Sequence, residues 1–244
     1  MPESASDPPS PPLQSQDDET ALFRKSWTLY DTISEKNYMF HREIYAHVAD
    51  LLRQRHQAGP YHLLDLGCGN ARFLAPCLQI APPASYDGVD LSASALAEAR
   101  TYLNGIPNTA LHHKDMLQAI EDTDSAFDII FTGFAVHHLD AAAKQQLFHA
   151  CAQRLAPGGQ FIMVDVVREE GQSREQYLDG YLNFMHTQWT EVPPDQLEEA
   201  CAHVAAYDFP ETLADLARMA KQASLSQTQL ISRHAQHHIV RFTP

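Results

Sequence analysis

The sequence predicts an α/β protein built on a doubly wound, mostly parallel sheet, and three observations carry that expectation. First, five short apolar runs, "HLLDLG" (62–67), "YDGVDLS" (86–92), "TALHHKD" (109–115), "FDIIFTG" (127–133) and "QFIMVDVV" (160–167), alternate with the helix-like stretches "ARFLAPCLQI", "SALAEARTYLN" and "AAAKQQLFHACAQRLA". Strands and helices alternating at this length pair in parallel through crossovers, with helices covering both faces. Second, the first run ends in an acid and a glycine turn, "LLDLGCGNARFLAP" from Leu63. Such sheets bind ligands beyond the carboxyl ends of their strands, near the point where strand order reverses. Third, "TQLISRHA" and "HHIVRFTP" close the chain as two short β-like runs, which fit an antiparallel pair at the sheet edge.

The segments around this alternation read differently. Residues 1–19 are rich in Pro, Ser, Asp and Gln, with five prolines among the first twelve positions. That composition buries too little apolar surface to offset chain entropy, so a disordered tail is expected. From residue 20 to 57, "ALFRKSWTLYDTIS" and "YMFHREIYAHVADLLRQRH" carry apolar residues at three- and four-residue spacing, an N-terminal helical lid that "AGP" at 58–60 ends. Residues 58–244 form the main domain. A helical insert at about 172–206, "EQYLDGYLNFMHTQW" and "PDQLEEACAHVAAY", interrupts it, and a further helix fits "PETLADLARMAKQAS" (210–224).

Composition narrows the function. The 244 residues suffice for one domain with a sizeable core or one domain plus a small cap. Seventeen basic against 31 acidic side chains give a formal charge of −14, which disfavours a nucleic-acid partner. Cys68, Cys77, Cys151 and Cys201 lie far apart without CxxC spacing, and are expected as buried free thiols in a reducing compartment. No run approaches the ~18 apolar residues of a membrane span, and no basic-then-apolar leader heads the chain. A cytoplasmic protein with no membrane partner is expected.

The glycine loop decides among ligands. A dinucleotide site wants G-x-G-x-x-G, and here Arg72 stands at the third glycine, where a bulky side chain obstructs close helix–strand packing. A nicotinamide-dependent dehydrogenase is disfavoured on that ground. The loop reads Asp65-x-Gly67-x-Gly69-x-Ala71: two glycines allow close backbone approach, and small Ala71 opens the next helix. Asp65 ends its strand with a carboxylate available to the loop, water or a cation. Asp90 ends the second strand, where a carboxylate accepts both hydroxyls of a ribose. Asp115 follows the third strand, in position to accept from an adenine amino group, with Met116 offering an apolar contact to the base. Three acids ending three successive strands suit a nucleoside with a positive tail and repel a triphosphate. Taken singly, each acid equally suits a helix cap or a turn.

These stretches, with "YDGVDLSASALAEAR", "HHKDML", "FDIIFTGFAVHHL" and "RLAPGGQFIMVD", resemble the class I S-adenosylmethionine-dependent methyltransferases over roughly residues 60–167. Ala71 stands in place of that family's frequent third glycine. The resemblance implies a Rossmann-like, seven-stranded sheet whose last strand is antiparallel, with helical cap elements. It implies that Gly67, Cys68 and Gly69 pass close to the methionine part of the cofactor, with Asp65 beside them. Asp90 would bind the ribose and Leu91 pack on the adenine. Asp115 and Met116 would hold the adenine edge and face, with Thr132 and Gly133 near the sulfonium.

The function so implied is methyl transfer from S-adenosyl-L-methionine to a small-molecule acceptor. His137 and His138 line the junction between cofactor and acceptor in the resembling family, and histidine suits a base near neutral pH. A packing or cofactor role for "HHL" stays open beside that one. The lid and the insert are both rich in aromatics, and additions of this kind exclude water and define a pocket. Tyr30 is the cofactor contact expected from the lid. Tyr38, Tyr181, His186 and Trp189 are the acceptor contacts expected, although such aromatics also serve as a cap's own core. No metal site is expected from the 14 histidines: the pairs His112/His113 and His137/His138 and the trio His234, His237 and His238 present no His-x-x-x-His on a predicted helix, and none has a cysteine beside it. Two other readings remain: attack on another carbon of the sulfonium (aminocarboxypropyl transfer or cyclisation), or a catalytically silent cofactor-binding subunit.

Overall fold

The computed structural model describes residues 32–244. Trp27, Tyr30, the expected tail and most of the first lid helix lie outside the described residues. Helical backbone at 32–35 leads through a turn to helix α1 (His41–Gln57). There follow β1 (His62–Leu66), α2 (Leu74–Ile80), β2 (Ser85–Asp90), α3 (Ala93–Tyr102), β3 (Thr109–His113), α4 (Met116–Asp122) and β4 (Phe127–Gly133). A single 3-10 turn (Val136–His138) precedes α5 (Ala141–Arg154) and β5 (Leu155–Val166). The remainder comprises α6 (Arg174–Gln188), α7 (Pro194–Tyr207), α8 (Leu213–Gln222), β6 (Gln227–His234) and β7 (His237–Thr243).

The seven strands make one sheet in the order β3-β2-β1-β4-β5-β7-β6. Strands β1 to β5 pair in parallel, and β7 runs antiparallel to both β5 and β6. The expected hairpin is therefore present, with β7 lying inside the sheet and β6 at its edge. Strand order runs outward from β1 to β3, then returns to β4 beside β1, so the reversal lies between the carboxyl ends of β1 and β4.

Alternation along the strands feeds two cores. Leu63, Phe131, Ile162 and Val164 pack with Leu52 of α1 and Leu78 of α2 on one face. Leu64, Ile130, Phe161 and Met163 pack with Phe148 of α5 and Met219 of α8 on the other. A third cluster, Tyr177, Tyr181, Met185, Trp189 and Cys201, belongs to α6 and α7 and takes in Ile33. Helix starts are fixed by side chains that accept orphan amide donors: Ser92 for α3, Asp115 for α4, Asp140 for α5 and Thr212 for α8. Ser173 and Gln176 form a reciprocal capping box at α6.

Two local expectations are corrected. "APGG" does not end ahead of the fifth strand; it bulges out of it. Phe127 pairs with Leu155 and Ile129 with Gln160, so the surplus residues of β5 loop around Gly158 at φ +77°. Nor does Ala71 open a helix. It takes the left-handed conformation at φ +56°, its N–H bonds Cys68 O at 2.9 Å, and α2 begins only at Leu74. Among the described residues, no helix is long and apolar enough to cross a membrane.

Candidate functional site

The loop after β1 is pinned to the end of β2. Gly67 N and Cys68 N both donate to Val89 O, at 2.8 and 2.9 Å. Gly69 N donates to Asp90 Oδ2 and Ser92 N to Asp90 Oδ1, each at 2.8 Å. Asp90 thus orients the loop while one lone pair on each oxygen stays free for hydroxyl donors. Gly67 sits at φ +73°, and a Cβ there would stand 2.6 Å from Ala135 Cβ, so glycine alone lets the β4 loop close against this turn. Gly69, at φ +51°, faces open space where a Cβ would project.

The other predicted cofactor residues stand at or just past the carboxyl ends of β2, β3 and β4. Leu91 is 68% exposed, an apolar side chain next to Asp90 that nothing in the fold covers. Asp115 Oδ1 accepts Leu117 N at 2.9 Å and Gln118 N at 3.1 Å, so the cap engages one oxygen of its carboxylate. Met116 reaches to within contact of the Cβ position of Gly67. Thr132 is fully buried, and its hydroxyl has no hydrogen-bond partner among the described residues. Gly133 admits the Tyr45 hydroxyl, which would stand 2.9 Å from a Cβ. An exposed apolar platform, a doubly held carboxylate, an orphaned hydroxyl and, in the glycine loop, an open Gly69 fit a nucleoside with a cationic tail.

Asp65 departs from its expected place. It is buried beneath the loop and accepts the Tyr86 hydroxyl at 2.7 Å, so it does not reach out to water or a cation. Burial lifts its pKa to about 7. The Tyr86 hydrogen bond opposes that rise, and the Asp90 charge adds to it. Burial also pushes the Cys68 thiol upward, and all four cysteines are buried and free.

Past β4, Phe134 is held at φ +56° and donates its N–H to Val164 O at 2.8 Å. This strained residue turns the chain into His137 and His138. Asp165, at the end of β5, gathers that turn. Its Oδ2 accepts Val136 N and His137 N at 2.9 and 3.0 Å, and its Oδ1 meets His137 Nδ1 at 2.5 Å. His137 Nε2 points to Asp208 Oδ1 at 3.6 Å, and His138 Nδ1 lies 3.8 Å from the same oxygen. Burial lowers the His137 pKa, but Asp165 and Asp208 outweigh it and the net shift is upward. Burial and the neighbouring His137 charge lower His138 to about 4. His137 is therefore an enclosed, oriented imidazole, and His138, with 42% of its side chain exposed, is the member of the pair open to an acceptor. The sequence reading missed Asp165 and Asp208. Asp165 follows the same rule as Asp90, an acid ending a strand, but Asp208 lies beyond α7 and carries no local signal.

The predicted acceptor residues separate. Tyr38 and Trp189 stack on each other at 5.8 Å, and the Tyr38 hydroxyl accepts Glu191 N at 3.0 Å. Tyr181 is buried, with its hydroxyl 3.2 Å from His237 Nε2. His237 in turn packs against the rings of Phe40 and Phe134, so Tyr181 joins the cap to the β4 loop. His186 is exposed and tied to Glu198 at 3.0 Å and Leu182 O at 2.8 Å. Its ring nitrogens are spent on the cap itself.

A family model described as a methyltransferase domain matches residues 63–159, from β1 to the bulge of β5. A malonyl-[acyl-carrier protein] O-methyltransferase of Halalkalibacterium halodurans is 31% identical over 121 residues, 48% of this chain and 44% of that protein. A trans-aconitate 2-methyltransferase of Acidovorax sp. (strain JS42) is 32% identical over 110 residues, 45% of this chain and 40% of that protein. The chain spans less than half the length of these curated relatives. An O-methyltransferase family protein from Burkholderia thailandensis aligns with TM-score 0.60 at 16% identity, over 80% of this chain and 55% of that one. Human N-acetylserotonin methyltransferase, in complex with SAM, aligns with TM-score 0.61 at 13% identity, over 95% and 60%. At such identities the solved structures establish a shared fold.

Proposed function

We propose, from the methyltransferase-domain match over residues 63–159 and the likeness to curated methyltransferases, that the chain is a class I S-adenosylmethionine-dependent methyltransferase that transfers a methyl group from S-adenosyl-L-methionine to a small-molecule acceptor. One observation carries the reading: Asp90 fastens Gly69 while keeping acceptor capacity for ribose hydroxyls, beside uncovered Leu91. Asp115 and Met116 extend the same edge toward the adenine. Gly67 and Gly69 let backbone approach the methionine part, and the Thr132 hydroxyl, orphaned and buried, is available to the cofactor's polar tail. Tyr30 is retained as a cofactor contact from the lid.

Bound S-adenosylmethionine supplies an already activated methyl group, so the chain's own task is position and exclusion of water. Asp90 and Asp115 give the carboxyl ends of β2 and β3 an acidic character that suits a sulfonium, while buried Asp65 supports the loop from below. His137 acts as a positioning residue: locked by Asp165, it fixes the turn that carries His138 to the lip of the crevice. The described part of the lid, 32–57, meets the helical insert, 172–206, through Tyr38 and Trp189, and lid and insert act together as the cap over the acceptor. Tyr181, through His237, and His186, through Glu198, brace that cap. A compact aromatic cap favours a small acceptor over a macromolecule, and we take the protein to work in the cytoplasm without nucleic-acid or membrane partners.

The test is turnover of methyl-labelled S-adenosylmethionine with a metabolite extract, with every product read by mass spectrometry. Label in a new small molecule, with S-adenosylhomocysteine released, is the expected result. Labelled methylthioadenosine beside an unlabelled product would overturn the reading and assign attack on another carbon.

A further inference from the structure

We propose that His137, His138 and Asp208 form a binding site for a divalent first-row transition-metal ion, reached from the lip of the crevice. The three side chains come from two places far apart in the chain, the turn after β4 and the residue that ends α7, yet one donor atom from each lies within 4.8 Å of the others. The turn is held to the second segment by backbone, with Phe209 N donating to His137 O at 2.8 Å.

Three features distinguish this cluster from a chance meeting of polar groups. Asp208 is 3% exposed, and its carboxylate faces both imidazoles. Its Oδ1 stands 3.6 Å from His137 Nε2 and 3.8 Å from His138 Nδ1. Those gaps are too long for hydrogen bonds. They are close to the ~3.3 Å that separates donors sharing one ion at bonds of ~2.0–2.2 Å in tetrahedral geometry. Lastly, Asp165 takes His137 Nδ1 at 2.5 Å and so turns Nε2 toward Asp208. A carboxylate behind a ligand histidine is the arrangement that orients imidazole on a metal.

Two imidazoles and one carboxylate are a borderline donor set, suited to zinc, iron or cobalt rather than to calcium or magnesium. Among the described residues, His138 Nδ1 also approaches Tyr207 O at 3.3 Å, a contact that binding would replace. Three protein ligands leave coordination positions open on the exposed side of His138, and these would take an oxygen donor. An ion there occupies the lone pair that a base would use.

The experiment needs no methyl transfer, so its failure is separate from failure of the proposed activity. The full chain, freed of metal by dialysis against a chelator, is titrated with Zn2+ by calorimetry and with Co2+ by visible absorption. One equivalent bound at micromolar affinity or tighter is expected, with cobalt bands of low coordination number. Affinity should fall by about tenfold or more in His138→Ala and in Asp208→Asn. A His112→Ala/His113→Ala double variant should bind as the parent does. His138→Ala alters a half-exposed side chain, so it stays informative if Asp208→Asn does not fold. Absence of saturable binding below ~100 μM, or unchanged affinity in His138→Ala, would overturn the proposal.

Discussion

Asp90 receives the Gly69 amide on one carboxylate oxygen and the Ser92 amide on the other, both at 2.8 Å. A single side chain at the end of β2 therefore sets both the glycine loop and the start of the segment leading to α3. Asp90→Ala removes the proposed ribose acceptor and loosens the loop together. Binding of S-adenosylhomocysteine, measured by calorimetry, should weaken about tenfold or more, given about 1.5–3 kcal/mol for a charge-assisted hydrogen bond. Circular dichroism should show a retained fold. Undiminished affinity would remove Asp90 from the cofactor site.

Gly67 and Ala71 make opposite predictions four residues apart. Gly67→Ala drives a Cβ to 2.6 Å from Ala135 Cβ in a left-handed backbone, so both crowding and strain oppose it. A loss of about 2–4 kcal/mol is expected in urea unfolding. Ala71→Gly relieves a left-handed alanine at φ +56°, and should raise stability by up to about 1 kcal/mol. A destabilised Ala71→Gly protein would mean that the methyl group's packing outweighs the strain.

Asp65 makes stability depend on pH. Its folded pKa of about 7 lies above the ordinary carboxylate value of 3.8. The native state therefore holds this proton more tightly than the unfolded chain does. The associated stability is complete below pH ~4 and is lost as pH rises through ~7. Asp65→Asn keeps an acceptor for the Tyr86 hydroxyl and removes the titration. Urea midpoints measured from pH 4 to pH 8 should fall more steeply in the parent than in the variant. Parallel lines would rule out the buried acid as their cause.

Trp189 tests whether the cap's aromatics serve packing or the acceptor. It is 3% exposed and stacked on Tyr38. Trp189→Ala should cost about 3–5 kcal/mol. Trp189→Phe, which retains a ring against Tyr38, should cost much less and leave the acceptor KM within about twofold of the parent, a shift worth only about 0.4 kcal/mol. A large KM increase in Trp189→Phe would instead give the indole a direct role in acceptor binding.

The legibility of these features follows their range in sequence. Strand runs such as Phe161–Val164 and Ile129–Phe131 declare themselves, because burial on both sheet faces demands continuous apolar residues. Asp90 and Asp115 were readable because a strand's end fixes where its acid stands. The left-handed conformation of Ala71 was not, since alanine carries no mark of it. Asp65 ended its strand as the other acids did, but the Tyr86 hydroxyl that claims it comes from β2. Trp189 and Tyr38 looked like ligand contacts, and stacking shows each to be the other's neighbour. Asp208 was invisible beside His137, since tertiary structure alone joins residues so distant.

The position of β7 also sets an order on assembly. It is synthesised after every other strand of the sheet, yet it lies between β5 and β6 and buries Ile239, Val240 and Phe242. Until it arrives, the row from Phe161 to Val166 on β5 has no partner on that side, and Phe148 and Phe161 lack the Phe242 ring that packs against both. A nascent chain halted before His237 would present β5 as an adhesive border, open to a neighbouring polypeptide. Chaperone demand during translation should therefore peak late, between emergence of β5 and release of the closing strand.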